Sequence, residues 1–377
     1  MDTTFSLDGK KRNNIGILDI RSESVKFLII KKIQDQYNVL GAGTSRYKRF
    51  GVFDTREFEV DVIKSSIKNA VDQAEKQADI KVKKIILGLS SHIFKAKISR
   101  QIFNRKDLQV EINKYEKSEI LKTVFSNAQK NILNDFNIKS GITPDQIVFL
   151  SENTLNTKIK GYKTSEILKI KAKEIEFDIL MCFLPKNYFE NIKKIVKNFN
   201  FEILKTIHKS QGFIKWLKKY QNGLFLDIGE DFTQIFLVKN GILKKISEFK
   251  YGAGNFSEEL CNNFGILYNE AIELKAKYEK LALTEQLRKR IKSIFKQEAQ
   301  NWLFLLEKEL NSQSYFENIF CFGKGYNIFE IKEALENRYN LKIKKLKIKD
   351  LLNVKINQKQ EISDDYFSSL ILAYSID

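Results

Sequence analysis

Proline and histidine each occur only twice in this chain of 377 residues, cysteine three times, and arginine ten times against 55 lysines. His92 and His208 are too few for a zinc site. Cys182, Cys261 and Cys321 are odd in number, widely spaced and without metal-ligand spacing. Set among apolar residues, they read as buried, reduced thiols of a cytoplasmic protein. No run of ~18 apolar residues exists, which excludes a membrane-spanning helix. The opening MDTTFSLDGKKRNN has no apolar core after its charges, so it is no signal peptide, and residues 1–13 are expected to form a short disordered tail.

The formal net charge of +18 on its own points to nucleic acid or an anionic membrane. Sequence-reading nucleic-acid sites favour the planar fork of arginine, however, and arginine is scarce here. The excess of Lys, Ile, Asn and Phe with little Pro instead reads as drift toward A+T-rich codons. No specific nucleic-acid partner is expected, and the charge is left as a possible aid in holding an anionic membrane or an acidic peptide. At 43% hydrophobic residues spread along the chain, the protein is expected to bury a substantial core in two to three compact units.

Apolar strands are predicted at 14–20, 25–31 and about 37–43, followed by a helix over 58–78 and a buried strand at 82–89. A different texture follows: a strand at 93–103, a helix at 116–135 and strands at 146–158 and 164–175. Residues 178–184 read as a return to a buried strand, with a helix at 188–198 and a strand at 201–207 beyond. The second half repeats the opening with strands at 223–229, 232–238 and 243–250. Helices are predicted near 255–264, 268–280 and 284–310. A last strand leads into Gly323, then a helix over 328–338, a strand near 341–346 and a closing helix from Asp365.

A strand ending in Asp, a turn and a second strand thus occur twice, at Asp19 and at Asp227. Two equivalent lobes built this way would face two acidic turns across one cleft. Hairpin N–H groups can cradle phosphates there, while the carboxylates hold a metal through water.

In this order and spacing, DIRSESVK (Asp19 to Lys26), DIGEDFTQI (Asp227 to Ile235) and FGKGYN (Phe322 to Asn327) resemble the two phosphate hairpins and the adenosine loop of actin-like ATPases. Within them the chain is similar to the FtsA family of bacterial cell-division proteins. The similarity is strongest from Gly51, Val52 and Asp54 through Ile67, Ala70 and Ala74-Glu75 to ILGLSSHI, and again in AIELKAKY (Ala271 to Tyr278). The resemblance implies an α/β, two-lobed actin-like fold of duplicated ribonuclease-H-like lobes with an FtsA-type inserted strand-helix-strand-strand subdomain. The first lobe is expected at 14–92 and 176–215, the insert at 93–175, the second lobe at 216–254 and 316–377, and a reduced helical subdomain at 255–315. It also implies a site for ATP and Mg2+. Nucleotide contacts would come from Asp19, Ser22, Lys26, Asp227, Gly229, Thr233, Glu273, Lys275, Gly323 and Gly325, with Asp19 and Asp227 holding the metal through water.

The chain departs from the family where phosphate would lie. Arg21 stands where the first hairpin usually has glycine, and Glu230 and Asp231 where the second usually has more of it. Carboxylates there repel a triphosphate by a kcal/mol or more at close range. An expected acidic residue in the 268–280 helix is Ile272. At most a slow ATPase is expected, and no catalytic residue is assigned. The β-hairpin before the 284–310 helix is missing, which puts the FtsZ tail in doubt as a partner. The sequence stops at Asp377, just after the closing helix and without the family's amphipathic membrane helix, so attachment to the inner face of the membrane is expected only through partners. The leading expectation is a scaffold in cell division that polymerises or docks division proteins. The alternatives are a PilM-like pilus-assembly platform gripping a membrane partner's peptide, and a nucleotide-independent descendant of the fold. A sugar kinase and a basic nucleic-acid binder are the least supported readings.

Overall fold

The computed structural model describes residues 14–47, 59–106, 109–217, 220–310, 316–356 and 362–376. The expected N-terminal tail, and Gly51, Val52 and Asp54 of the FtsA-like stretch, lie outside them. Three apolar runs separated by polar turns give an antiparallel meander of β1 (Asn14–Ile20), β2 (Ser24–Ile33) and β3 (Gln36–Arg46). Helix α1 (Val60–Ala78) buries Ile63, Ile67, Ala70, Val71 and Ala74, whose spacing puts them on one face. Strand β4 (Lys84–Leu89) then runs parallel to β1.

An inserted sheet follows, built from β5 (Lys95–Asn104), helix α2 (Lys114–Ser140), β6 (Ile147–Ile159), β7 (Tyr162–Thr164) and β8 (Glu174–Pro185), in the order β5-β8-β6-β7. Helix α2 begins where the Asn113 side chain accepts the Glu116 N–H and ends at Gly141 in the left-handed region. Two strand expectations are corrected here. Residues 165–173 are irregular rather than part of a strand over 164–175. The run at 178–184 is not a return to the first lobe. It continues β8 and pairs with β5 and β6 along its length. The physical reason is burial on both faces: Ile175, Phe177, Ile179, Met181 and Phe183 join the core of the insert, while Leu180, Cys182 and Leu184 join the core of the first unit. The run 179–184 is therefore apolar throughout, and apolarity alone does not say which sheet it enters.

The chain returns through α3 (Lys186–Lys197) and β9 (Glu202–Ile207), parallel to β4. Helix α4 (Lys209–Trp216), absent from the sequence reading, leads to the second unit. That unit opens with the meander β10 (Gly223–Ile228), β11 (Thr233–Lys239) and β12 (Ile242–Phe249). Helices α5 (Ala253–Phe264), α6 (Tyr268–Glu279) and α7 (Glu285–Leu310) follow, then β13 (Ile319–Phe322) parallel to β10, α8 (Phe329–Tyr339) and β14 (Ile343–Lys345). The orders β3-β2-β1-β4-β9 and β12-β11-β10-β13-β14 are identical, so the duplication read from the two Asp-ending strands extends to the whole sheet.

The last segment is a further correction. Strand β15 (Val354–Ile356) pairs with β3, and α9 (Phe367–Ile371) packs into the first core, although the sequence reading places 316–377 with the second lobe. Strand β3 offers an open edge, and the apolar residues of α9 fill the gap between the sheets. Helices α4 and α9 lie together there. A Cβ on Gly212 would sit 2.0 Å from the Ile371 carbonyl oxygen, so glycine alone permits the approach. Alternation along the second sheet turns Phe225, Phe236, Phe320 and Phe322 toward these helices and Leu224, Leu226, Ile235 and Cys321 toward α5, α7 and α8. Each fully buried aromatic or aliphatic side chain contributes about 1.5–3 kcal/mol. The three cysteines are free, and burial raises the Cys182 thiol to about 11. Among the described residues, no helix is long and apolar enough to cross a membrane.

Candidate functional site between the acidic hairpins

Each aspartate stands one residue before its strand ends, at corresponding places. Asp19 lies opposite Lys26 on β2 and beside Gly88 on β4. Asp227 lies opposite Gln234 on β11 and beside Phe322 on β13. The two carboxylates line one recess of about 430 Å³, together with Arg21, Ser22, Glu23, Lys209, Gly229 and Glu230. A second recess of about 590 Å³ adjoins it through Glu230 and is walled by Arg46, Ile272, Lys275, Lys324 and Asp365.

The first recess is internally neutralised. Arg21 Nε donates to Asp19 Oδ2 at 2.8 Å, and Ser369 Oγ on α9 donates to the same oxygen at 2.7 Å. Lys209 Nζ at the start of α4 donates to Asp227 Oδ2 at 2.6 Å, and Ser368 Oγ on α9 donates to it at 2.9 Å. Lys324 follows β13 and stands 3.4 Å from Glu23 of the first hairpin and 4.0 Å from Glu230 of the second. Burial opposes the charge of Asp19, yet the Arg21 and Lys209 cations and the Ser369 hydroxyl hold its carboxyl below the usual range. Glu23 is likewise held low against its burial, chiefly by Lys324 and Arg21.

The predicted residues divide into two groups. Asp19, Ser22, Asp227 and Gly229 meet at the first recess, and Lys275 lines the second. Lys275 lies 3.7 Å from Glu230 and donates to the Ala253 carbonyl. Gly323 has φ +86°, and a Cβ there would meet the Ile228 carbonyl at 2.5 Å and Asp227 Oδ1 at 2.7 Å. A Cβ on Gly325 would collide with Ile228 Cγ2. These two glycines let the loop after β13 press onto the second hairpin. Three others are elsewhere. The Thr233 hydroxyl donates to the Tyr251 carbonyl and accepts from the Trp302 indole, inside the second core. Glu273 is exposed and lines neither recess. The Lys26 ammonium donates to the Asp365 carbonyl beneath the Tyr366 ring, and burial, helped by Arg21, lowers it to about 7.

Sequence reasoning missed Lys209, Ser368 and Ser369. One local signal was present: His208 begins a capping box for α4. Its Nδ1 accepts the Ser210 N–H at 3.1 Å, while Gln211 reaches back to the His208 N–H. Burial, with the Lys209 and Lys95 ammonium groups, pushes the imidazole down from 6.5 to about 3. Between those values the unfolded chain binds a proton that the folded chain refuses, so stability falls as pH drops from about 6.5 toward 3. The slope reaches at most ~1.4 kcal/mol per pH unit. His208→Asn keeps a capping acceptor and is expected to flatten this part of the curve. Urea midpoints measured across the range check it, and an unchanged slope in the variant excludes His208 as the source.

The phosphate side does not fit magnesium triphosphate. The Oδ2 atom of each aspartate is already bonded to an internal cation and a serine. Among the described residues, Oδ1 of Asp227 has no hydrogen-bond partner, and it is buried against Gly323. The Arg21 N–H bonds Ser24 O, the Gly229 N–H bonds Phe232 O, and the first N–H groups of α5 bond the Gly229 and Glu230 carbonyls. These donors are not free to cradle phosphate.

No protein-family model matches the chain. Among curated proteins it is similar to the cell division protein FtsA of Streptococcus pneumoniae, with 21% identity over 316 residues, 74% of this chain and 65% of that protein. It is also similar to FtsA of Staphylococcus epidermidis, with 21% identity over 271 residues, 69% of this chain and 54% of that protein. The chain thus spans between about half and two thirds of the length of these relatives. Among solved structures, a chain of a PilM–PilN type IV pilus biogenesis complex matches with a TM-score of 0.68 and 13% identity, covering 97% of this chain and 98% of that one. The ethanolamine utilization protein EutJ of Carboxydothermus hydrogenoformans matches with a TM-score of 0.53 and 9% identity, over 95% and 88%. These likenesses carry the fold.

Proposed function

We propose that this FtsA/PilM-type actin-like protein is an assembly scaffold that docks a bacterial cell-division partner at the inner face of the membrane. The observation that supports this most is the insert. The β5–β8 sheet with α2 departs from the first lobe after β4, and the chain returns at β9. The insert has its own core and also holds the second lobe. Lys244 Nζ on β12 bonds Asp178 Oδ2 on β8 at 2.6 Å, and Lys95 on β5 pairs with Glu248 on β12. A subdomain that is separately cored and tied to both lobes suits a rigid platform better than a substrate domain that opens and closes over a reaction. ATP and Mg2+, implied by the family resemblance, are given no step here, because the phosphate side is closed by its own ion pairs.

A PilM-like role is the second reading. It is favoured by the match over nearly the full length of both chains and by the direct passage from α6 to α7 through residues 280–284. Fluorescence anisotropy on the whole protein, with a labelled FtsZ tail and a labelled cytoplasmic peptide of a pilus membrane protein, separates the two. Micromolar, saturable binding of the FtsZ tail upholds the division reading despite the missing hairpin. Binding of the pilus peptide alone moves the assignment to pilus assembly. Binding of neither, with no sedimentable filaments, ends the scaffold reading.

A further inference from the structure

We infer that the cleft is latched from within: Arg21 and Lys209 stand in for a divalent cation, and the adjacent Ser368 and Ser369 tie both hairpin aspartates to one turn of α9. The lobes are thereby held together without metal. This goes beyond the docking role and does not depend on which partner binds.

Charge balance is the first argument. Two buried carboxylates facing one recess repel each other unless cations lie between them. The side chains of Asp19 and Asp227 are 2% and 3% exposed, and each receives a cation at hydrogen-bond distance, Arg21 at 2.8 Å and Lys209 at 2.6 Å. A Mg2+ ion needs near-octahedral oxygen ligands and keeps several waters. Entering here, it would meet one guanidinium and one ammonium already on the oxygens it requires. Asp227 Oδ1, which has no hydrogen-bond partner among the described residues, is buried against Gly323 rather than opening on the recess.

Connectivity is the second argument. Arg21 and Asp19 belong to the first hairpin and Asp227 to the second. Lys209 comes from α4 and both serines from α9, the helices packed between the sheets. Arg21 also reaches Ser369 Oγ through Nη2 at 3.1 Å. Lys324 spans from the second unit to Glu23 on the first. A relative rotation of the lobes therefore breaks several charge-assisted bonds at once, each stronger than a neutral hydrogen bond.

The test uses the full chain with Mn2+ alone and Mg2+ alone. For the wild type, electron paramagnetic resonance is expected to show all Mn2+ free at millimolar concentration, and the melting midpoint is expected to be the same in Mg2+ and in EDTA. Lys209→Ala removes the cation from Asp227, and Mn2+ affinity is expected to rise about tenfold or more as the carboxylate becomes a ligand. Ser368→Ala removes only a hydroxyl and keeps the test valid if Lys209→Ala fails to fold. It is expected to lower the midpoint equally in Mg2+ and in EDTA. Two results overturn the inference: Mn2+ uptake by the wild type as tight as by Lys209→Ala, or a wild-type midpoint that falls in EDTA.

Discussion

Replacing Phe213 by alanine is expected to destabilise the protein by about 3–5 kcal/mol. The ring is fully buried on α4. It stacks on Phe236 at 4.6 Å and Phe322 at 5.8 Å, and meets Phe225 at 5.4 Å and Trp216 at 5.3 Å edge-on. Its removal opens a cavity where α4 meets the second sheet. The surroundings cannot close easily, because Gly212 already holds α4 against the Ile371 carbonyl of α9. Phe213→Leu retains most of the volume and is expected to cost under about 1.5 kcal/mol. Urea denaturation of the two variants checks the pair. A lower midpoint with an unchanged slope of free energy against urea reports lost packing, and splitting into two transitions reports lobes that have come apart. A cost below about 1 kcal/mol for the alanine variant means that α4 is not packed between the sheets as described.

Arg21→Met is the second large effect, expected at about 3–5 kcal/mol. Methionine fills much of the arginine stem but leaves Asp19 buried without its bonded cation. The cost is therefore that of a stranded carboxylate rather than of one hydrogen bond. The double variant Asp19→Asn/Arg21→Met removes the charge as well, and is expected to recover at least half of the loss. The double-mutant cycle on chemical denaturation reads the coupling directly. If Asp19→Asn adds its own cost to that of Arg21→Met, the two side chains act independently and the ion pair is not what stabilises the first hairpin. Arg21 thus neutralises the buried aspartate beside it in the first hairpin.

Local patterns made the frame legible. NIGILDI and GLFLDIG are short apolar runs that stop at an aspartate before a polar turn, and both are strands that pair with the next run. Helices α1, α5, α6 and α7 follow from 3.6-residue spacing of apolar positions. Position 178 onward misled for a physical reason: β8 is buried on both faces, and sequence burial carries no label for the sheet involved. Helix α4 was missed because eight residues give barely two turns of periodicity, and its capping histidine is not among the usual capping residues. Thr233 and Glu273 were placed by motif position. Side-chain direction is set by local packing, which turns Thr233 to the Trp302 indole and Glu273 to solvent.

The sequence by itself determined the strands of the two meanders, their repeat and the aspartate near each first strand's end, because alternation, turn residues and register act within a few residues of one another. Only the tertiary structure decided what those aspartates face. Lys209 reaches Asp227 across 18 positions, Ser368 across 141, and Ser369 reaches Asp19 across 350. No local rule links such positions. Helices α4 and α9 bring them together by packing face to face between two sheets, and in that dry space each carboxylate must find a cation and a donor.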